Sequence, residues 1–250
     1  MVPTAFHWIG TGSGLNPLLG NTSFMVYTSA SSALLVDCGA TVPLKLVEMD
    51  RLSAVTDILI THHHSDHIGG MEALAFFHYY VLKRRGDARL NLHVASDEFA
   101  HRLWENSLKG GMEPSQDEKA VAFKATMDTY FKVHVNKTVD IRGLPMVDFI
   151  PTLHVRGMEN YALRFENGVF YSGDTIELPP HDPRIIFQDC QFSGGSEGDV
   201  HVTYDRLATE LPDQVREKTH LVHLGEGYEQ RKPLQDGFAG FVMPNRRYIL

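Results

Sequence analysis

Short apolar runs separated by polar punctuation set out the elements of this chain. In the first third, Thr4–Ile9 and Ser23–Thr28 place apolar residues at alternate positions, which predicts half-buried strands. Ala33–Asp37, ended by Gly39, and Asp57–Thr61 are nearly continuous apolar runs and predict buried strands. Pro43 opens a helix predicted over Pro43–Leu52, with Leu44, Val47 and Leu52 as its apolar positions. Helices are also predicted over Met71–Arg85 and Asp97–Lys109, with a strand, Asn91–Ala95, between them. Gly110–Ser115 carries loop signals, and the charged stretch Gln116–Tyr130 reads as a helix or a mobile flap. Strands return at Val147–Leu153, Tyr161–Phe165, Val169–Tyr171, Ile185–Gln188 and His220–Leu224, with a helix over Tyr204–Leu211 stopped by Pro212. Strands flanked by helices in two similar halves predict a layered α/β sandwich, residues 1–250 as one domain, rather than a doubly wound parallel sheet.

Composition narrows the chemistry. A chain of 250 residues that is 43% hydrophobic and 22% charged can bury a sizeable core and is not globally disordered. Its net charge of −8 argues against a general binder of nucleic acid or of anionic membranes. The longest apolar runs fall far short of a membrane span, so no membrane partner is expected. The start, Met1-Val2-Pro3-Thr4-Ala5-Phe6-His7-Trp8, has neither a basic nor an apolar leader region, so a cytoplasmic location is expected. Two cysteines, Cys38 and Cys190, make neither a disulfide scaffold nor a cysteine metal cluster. Against them stand fourteen histidines, so any metal must be held by nitrogen and oxygen.

Histidine is densest in Thr61-His62-His63-His64-Ser65-Asp66-His67-Ile68-Gly69-Gly70, directly after a buried strand. In extended backbone His62 and His64 face one side while His63 turns away. Asp66 and His67 then fall where the chain bends toward a helix. Three imidazoles and a carboxylate within one short turn suit zinc and similar divalent ions.

The run resembles the H-x-H-x-D-H signature of the metallo-β-lactamase fold hydrolases, matched at His62, His64, Asp66 and His67. The resemblance implies an αββα sandwich and three further ligands after strands of the second half. These are His154, Asp174 in Gly173-Asp174, and His223. It implies that His62, His64 and His154 hold one ion, that Asp66, His67 and His223 hold the other, and that Asp174 bridges them. His220 competes with His223, but strand parity puts the two on opposite faces and favours His223. Two such ions, most readily Zn2+ with Mn2+ as the alternative, would share a hydroxide and clamp a phosphoester, with Asp66 orienting the nucleophile.

His201 in Asp199-Val200-His201-Val202-Thr203 resembles the His-x-Thr segment of the ribonuclease Z branch, whose histidine contacts phosphate and donates a proton. By that resemblance Asp189 supports the donor, and Thr203 and Tyr228 join His201 in contacting substrate. The arginine that precedes the tyrosine in that branch is Gly227 here. Gly10-Thr11-Gly12-Ser13-Gly14 lacks the Lys-Ser/Thr of a phosphate loop and reads as a turn that helps shape the pocket. His7, His63, His78, His93, His101 and His134 read as surface or core residues, and His181 as a weak pocket candidate.

Ribonuclease Z enzymes grip RNA with an arm between the ligands matching His154 and Asp174, and here those are only twenty residues apart. That spacing and the negative charge favour a small phosphodiester. The stretch from Ile186 to Gly225 resembles the phage and bacterial phosphodiesterases that counter the Pycsar defence. This resemblance implies hydrolysis of 3′,5′-cyclic mononucleotides by a homodimer, in the host cytoplasm where the gene is a phage's. Residues 110–131, with Tyr130 and Phe131, would supply a base-stacking lid or a subunit interface. The competing readings are a transfer-RNA 3′-processing endoribonuclease, with a stable nucleic-acid partner not expected, and a non-catalytic nucleotide-binding protein. A β-lactamase and a glyoxalase-type thioesterase share the metal cluster but fit the rest less well.

Overall fold

The computed structural model describes residues 4–82, 89–117, 119–196 and 198–250. Its first strands are β1 (Ala5–Gly10), β2 (Ser23–Ser29), β3 (Ser32–Val36), β4 (Val55–Leu59) and β5 (Leu90–Val94). A hairpin of β6 (Pro114–Gln116) and β7 (Ala122–Lys124) follows, then β8 (Phe131–Val135). The second half adds β9 (Thr138–Val139), β10 (Val147–Pro151), β11 (Tyr161–Phe165), β12 (Val169–Tyr171) and β13 (Ile185–Asp189). It closes with β14 (Thr219–Val222), β15 (Gly240–Phe241) and β16 (Arg247–Ile249). Among the described residues two seven-stranded sheets form, ordered β16-β1-β2-β3-β4-β5-β8 and β15-β14-β13-β12-β11-β10-β9.

Both sheets change from antiparallel to parallel pairing part-way across. In the first, β3, β4, β5 and β8 run parallel. In the second, β12, β13, β14 and β15 do. Parallel strands open their carboxyl ends at one edge of the sheet, where α/β proteins place ligands. The sheets face each other across an aromatic core. The Trp8 ring lies 4.8 Å from Phe24 in its own sheet and 5.0 Å from Phe187 in the other, and Phe6 meets Phe165 edge-on at 5.0 Å. Such pairs add about 0.5–1.5 kcal/mol each beyond burial.

Helices cover the outer faces. On the first sheet lie α1 (Val42–Glu48), the single turn α2 (Ser65–Ile68), α3 (Met71–Phe76), α4 (Asp97–Leu103), α5 (Lys109–Met112) and α6 (Met127–Tyr130). On the second lie α7 (Tyr204–Glu210) and α8 (Asp213–Arg216), over a core that holds Phe170, Ile186, Leu207, Val215 and Leu221. The result is the αββα sandwich. No helix among the described residues is long and apolar enough to cross a membrane.

Several boundaries differ from the sequence pattern. The buried side of α1 is Val42 and Leu46, whereas Leu44 and Val47 are 63% and 58% exposed. The helix predicted from Met71 runs through Leu82, its last turns wider than α-helical, and residues 83–85 of that prediction lie outside the described ones. The next helix passes through the supposed Gly110–Ser115 loop as far as Met112. Gly111 sits in this helix with Glu72 against it: a Cβ there would lie 2.2 Å from a carboxylate oxygen. The stretch from Gln116 to Tyr130 is neither a long helix nor an open flap, since it holds β7 and α6. Tyr130 and Phe131 are buried, and the Tyr130 hydroxyl donates to the Met112 carbonyl at 2.9 Å. They carry the first sheet's outer core and are not available to stack a base.

Candidate metal centre

Past β4 the backbone stays extended through His64, and the side chains part as that geometry demands. His62 Nε2 lies 3.1 Å from His64 Nδ1. His63 instead stacks on Phe99 with ring centroids 3.9 Å apart. The single turn α2 then swings Asp66 and His67 back over the same spot. From the second sheet, His154 follows β10, Asp174 follows β12, and His223 follows β14. Two of these positions need unusual backbone. Gly173 has φ 57°, with the Tyr161 carbonyl where a Cβ would stand, and His223 itself is left-handed at φ 59°. Strain of that kind persists where the surroundings hold a functional group in place.

The distances among these groups are those of shared ligation. Asp174 Oδ2 is 3.6 Å from His62 Nε2, 3.4 Å from His67 Nε2 and 3.9 Å from His154 Nε2. Asp174 Oδ1 is 3.3 Å from His223 Nδ1, and Asp66 Oδ2 is 3.6 Å from His67 Nε2 and 3.9 Å from His223 Nε2. Most are too long for hydrogen bonds, yet donors about 2.1 Å from one tetrahedral ion stand roughly 3.4 Å apart. His62, His64, His154 and Asp174 form one group and Asp66, His67, Asp174 and His223 another, with ligand atoms within 4.8 Å of one another in each. Asp174 belongs to both. His67 Nε2, Asp174 Oδ1 and His223 Nδ1 are buried without a hydrogen-bond partner, a cost that a bound ion would remove. The residues fit a pair of divalent ions.

Surrounding groups fix which nitrogen faces inward. The Val200 carbonyl accepts from His154 Nδ1 at 2.6 Å, leaving its Nε2 lone pair free. Asp37 accepts from His67 Nδ1, from the Thr61 backbone and from the Thr61 hydroxyl, each at 2.8 Å. Burial holds His62 well below the usual imidazole range, helped by His67, and burial lowers His64 and His154 too. Burial works against a charge on His67 as well, but Asp174 and Asp37 outweigh it and raise the ring well above its ordinary value. Burial opposes ionisation of Asp174, and the surrounding imidazoles, His223 and His67 first, overcome it and lower its pKa far below the carboxylate range.

His201 lies beside both groups, its ring centroid 4.7 Å from His154 and 5.0 Å from His223. Asp189 Oδ2 accepts from His201 Nδ1 at 2.7 Å and from the Thr175 backbone at 2.9 Å. Burial disfavours the imidazolium, but Asp189 prevails and raises the ring to about 9. The other two candidates stand in packing roles. The Thr203 hydroxyl caps α7 by accepting from the Arg206 amide, and the Tyr228 ring packs between Phe192 and Phe241. His220 stacks on Phe187, and His181 is exposed. Asp37 was missed, although a charge closing an apolar strand is a visible signal. Ser172, whose hydroxyl accepts from the Asp189 amide at 2.8 Å, left no signal of its own.

Compared with known proteins, residues 4–248 match the family model described as anti-Pycsar protein Apyc1. The chain belongs to the anti-Pycsar Apyc1 family. An Apyc1 protein of Bacillus phage BSP38 is 34% identical over 268 residues, covering 99% of this chain and 98% of that one. The fold recurs in the metallo-β-lactamase fold protein YhfI from Bacillus subtilis, with TM-score 0.74, 16% identity, and 99% and 100% of the two chains covered. It recurs too in a diphosphatase of the PhnP family, with TM-score 0.72, 16% identity, and 100% and 98% covered. The metallo-β-lactamase fold thus bears out the resemblance carried by His62, His64, Asp66 and His67, and membership of the Apyc1 family bears out that carried by the stretch from Ile186 to Gly225.

Proposed function

We propose that this chain is a phosphodiesterase that holds two divalent ions, zinc foremost, and opens 3′,5′-cyclic mononucleotides, so removing a defence signal. The observation that carries the reading is His201, held by Asp189 against the rings of His154 and His223, beside two ligand groups that share Asp174. Ions bound there would offset phosphate charge and lower the pKa of water to near 7. Asp174 keeps the two groups together, and Asp66, half-buried where His67 is fully buried, turns the attacking water toward phosphorus. With Nδ1 committed to Asp189, His201 keeps Nε2 for the proton that the departing ribose oxygen takes up. Residues 155–173 hold only β11, β12 and their short connections, which leaves no arm for an RNA elbow.

The test is a panel of cyclic mononucleotides, cyclic dinucleotides and precursor transfer RNA, run with zinc or manganese while bound metal is counted. Two ions per chain with hydrolysis of cyclic mononucleotides is the expected result. Cleavage of precursor RNA alone overturns the reading in favour of a processing nuclease, and nucleotide binding without turnover overturns it in favour of a sponge.

A further inference from the structure

We propose that Leu15 and Leu18, on the loop joining β1 to β2, form the apolar platform on which the nucleobase of the substrate rests. The proposal builds on the phosphodiesterase reading and adds the residues that would recognise the other end of the molecule. Leu15 is 97% and Leu18 92% exposed, more than any other large apolar residue described. Single exposed leucines are ordinary. These two, however, share one short loop that is stitched to the metal centre.

Gly12 pairs with Asn21 on one side and with Leu224, the residue after His223, on the other. The Leu224 carbonyl accepts from the Ser13 amide at 3.3 Å and from the Asn16 side chain at 2.9 Å. Gly14 passes so close to Asp66 that a Cβ there would lie 3.1 Å from its carboxylate. Leu15 is the next residue, about 3.8 Å further along the chain. Leu19 then buries itself in the outer core of the second sheet and pins the far end of the loop. The loop is therefore held at both ends beside the ligands, and its two leucines are left in water.

A cyclic mononucleotide is polar at its phosphodiester and flat and apolar-faced at its base. With the phosphate between Asp66 and His201, a base reaching out past Asp66 would meet the loop at Gly14 and the leucines that follow it. The aromatic rings once expected to stack it, Tyr130 and Phe131, are buried elsewhere.

The test compares the wild-type chain with a Leu15→Ser, Leu18→Ser double variant, metal-loaded, on a 3′,5′-cyclic mononucleotide and on base-free ribose 3′,5′-cyclic phosphate. Exposed side chains are changed, so the fold is expected to survive. The ratio of kcat/KM for nucleotide over base-free sugar should fall about 10-fold to 100-fold, the worth of one or two apolar contacts. An unchanged ratio overturns the proposal. So does an unchanged ratio with altered mass by light scattering, which would assign the leucines to a contact between copies. Calorimetry with the same nucleotide separates this proposal from the hydrolytic reading. Binding without turnover, weakened in the double variant, sustains the platform and sinks the hydrolysis, whereas neither binding nor turnover sinks both.

Discussion

The two ligand groups of the centre differ in what stands behind their imidazoles. His62, His64 and His154 share a single carboxylate, Asp174, and are backed by uncharged partners: the Val200 carbonyl behind His154 and the Thr61 hydroxyl 3.2 Å from His62 Nδ1. His67 and His223 share two carboxylates, Asp66 and Asp174, and His67 has a third, Asp37, behind its ring. Burial therefore wins in the first group and keeps its imidazoles neutral, while charge wins at His67. An imidazole backed by a carboxylate is a stronger donor to a cation and also a stronger base toward a proton. The second group should bind its ion more through charge, and lose it more readily to acid.

Asp174→Ala removes the one carboxylate common to both groups, leaving the first with none and the second with Asp66 and the Asp37 behind His67. Both ions should be lost, and with them several kcal/mol of transition-state stabilisation, about a thousandfold in turnover. Metal content measured beside cyclic-nucleotide hydrolysis checks it; retention of one full ion would show that the groups are independent. His201→Ala leaves both groups intact, so turnover should fall about 10²- to 10⁴-fold with metal content unchanged. Turnover that survives the substitution would remove His201 from the chemistry.

What could be read in the sequence divides along another line, between contiguous and distant ligands. His62, His64, Asp66 and His67 are contiguous, and strand parity followed by one helical turn was enough to predict which of them face inward. His154, Asp174 and His223 are brought together by the pairing of β10 to β14, antiparallel as far as β12 and parallel beyond it, which leaves no local mark; only resemblance supplied them. The burial of Tyr130 was equally invisible. A charged segment with an aromatic end reads as a flap until β8 is seen pairing with β5 and drawing Tyr130 and Phe131 into the core. Apolar periodicity misread α1 for a related reason: Leu44 and Val47 are as apolar as Val42 and Leu46, and only packing decides which pair is covered.

Asp37→Asn sharpens the comparison by uncharging the support of one group alone. The amide can still accept from the Thr61 backbone, so the strand end should hold. Affinity of the second group for its ion should drop about 10- to 100-fold, and that of the first should stay as it was. A two-step zinc titration followed by calorimetry reads both at once, and equal weakening of the two steps would mean that Asp37 shapes the whole centre rather than the ring of His67.

The smallest effect lies in the pH behaviour of His201, which stands outside both groups but obeys the rule of the second: a carboxylate behind the ring outweighs burial. In the metal-free chain His201 should titrate at about 9, well above the imidazoles of the first group. A folded-state pKa raised in this way adds stability that is fully present below the ordinary histidine value of about 6.5 and is lost as pH rises through about 9. Asp189→Asn should bring the titration down toward the ordinary value and flatten the stability change across that window. Bound ions repel the same proton, so loading the centre should move the titration down as well. Histidine NMR titrations and thermal melts of the metal-free chain measure the two quantities separately. If His201 titrated with the neutral rings of His64 and His154, burial would dominate throughout the centre, and the contrast between carboxylate-backed and carbonyl-backed imidazoles would not govern its protons.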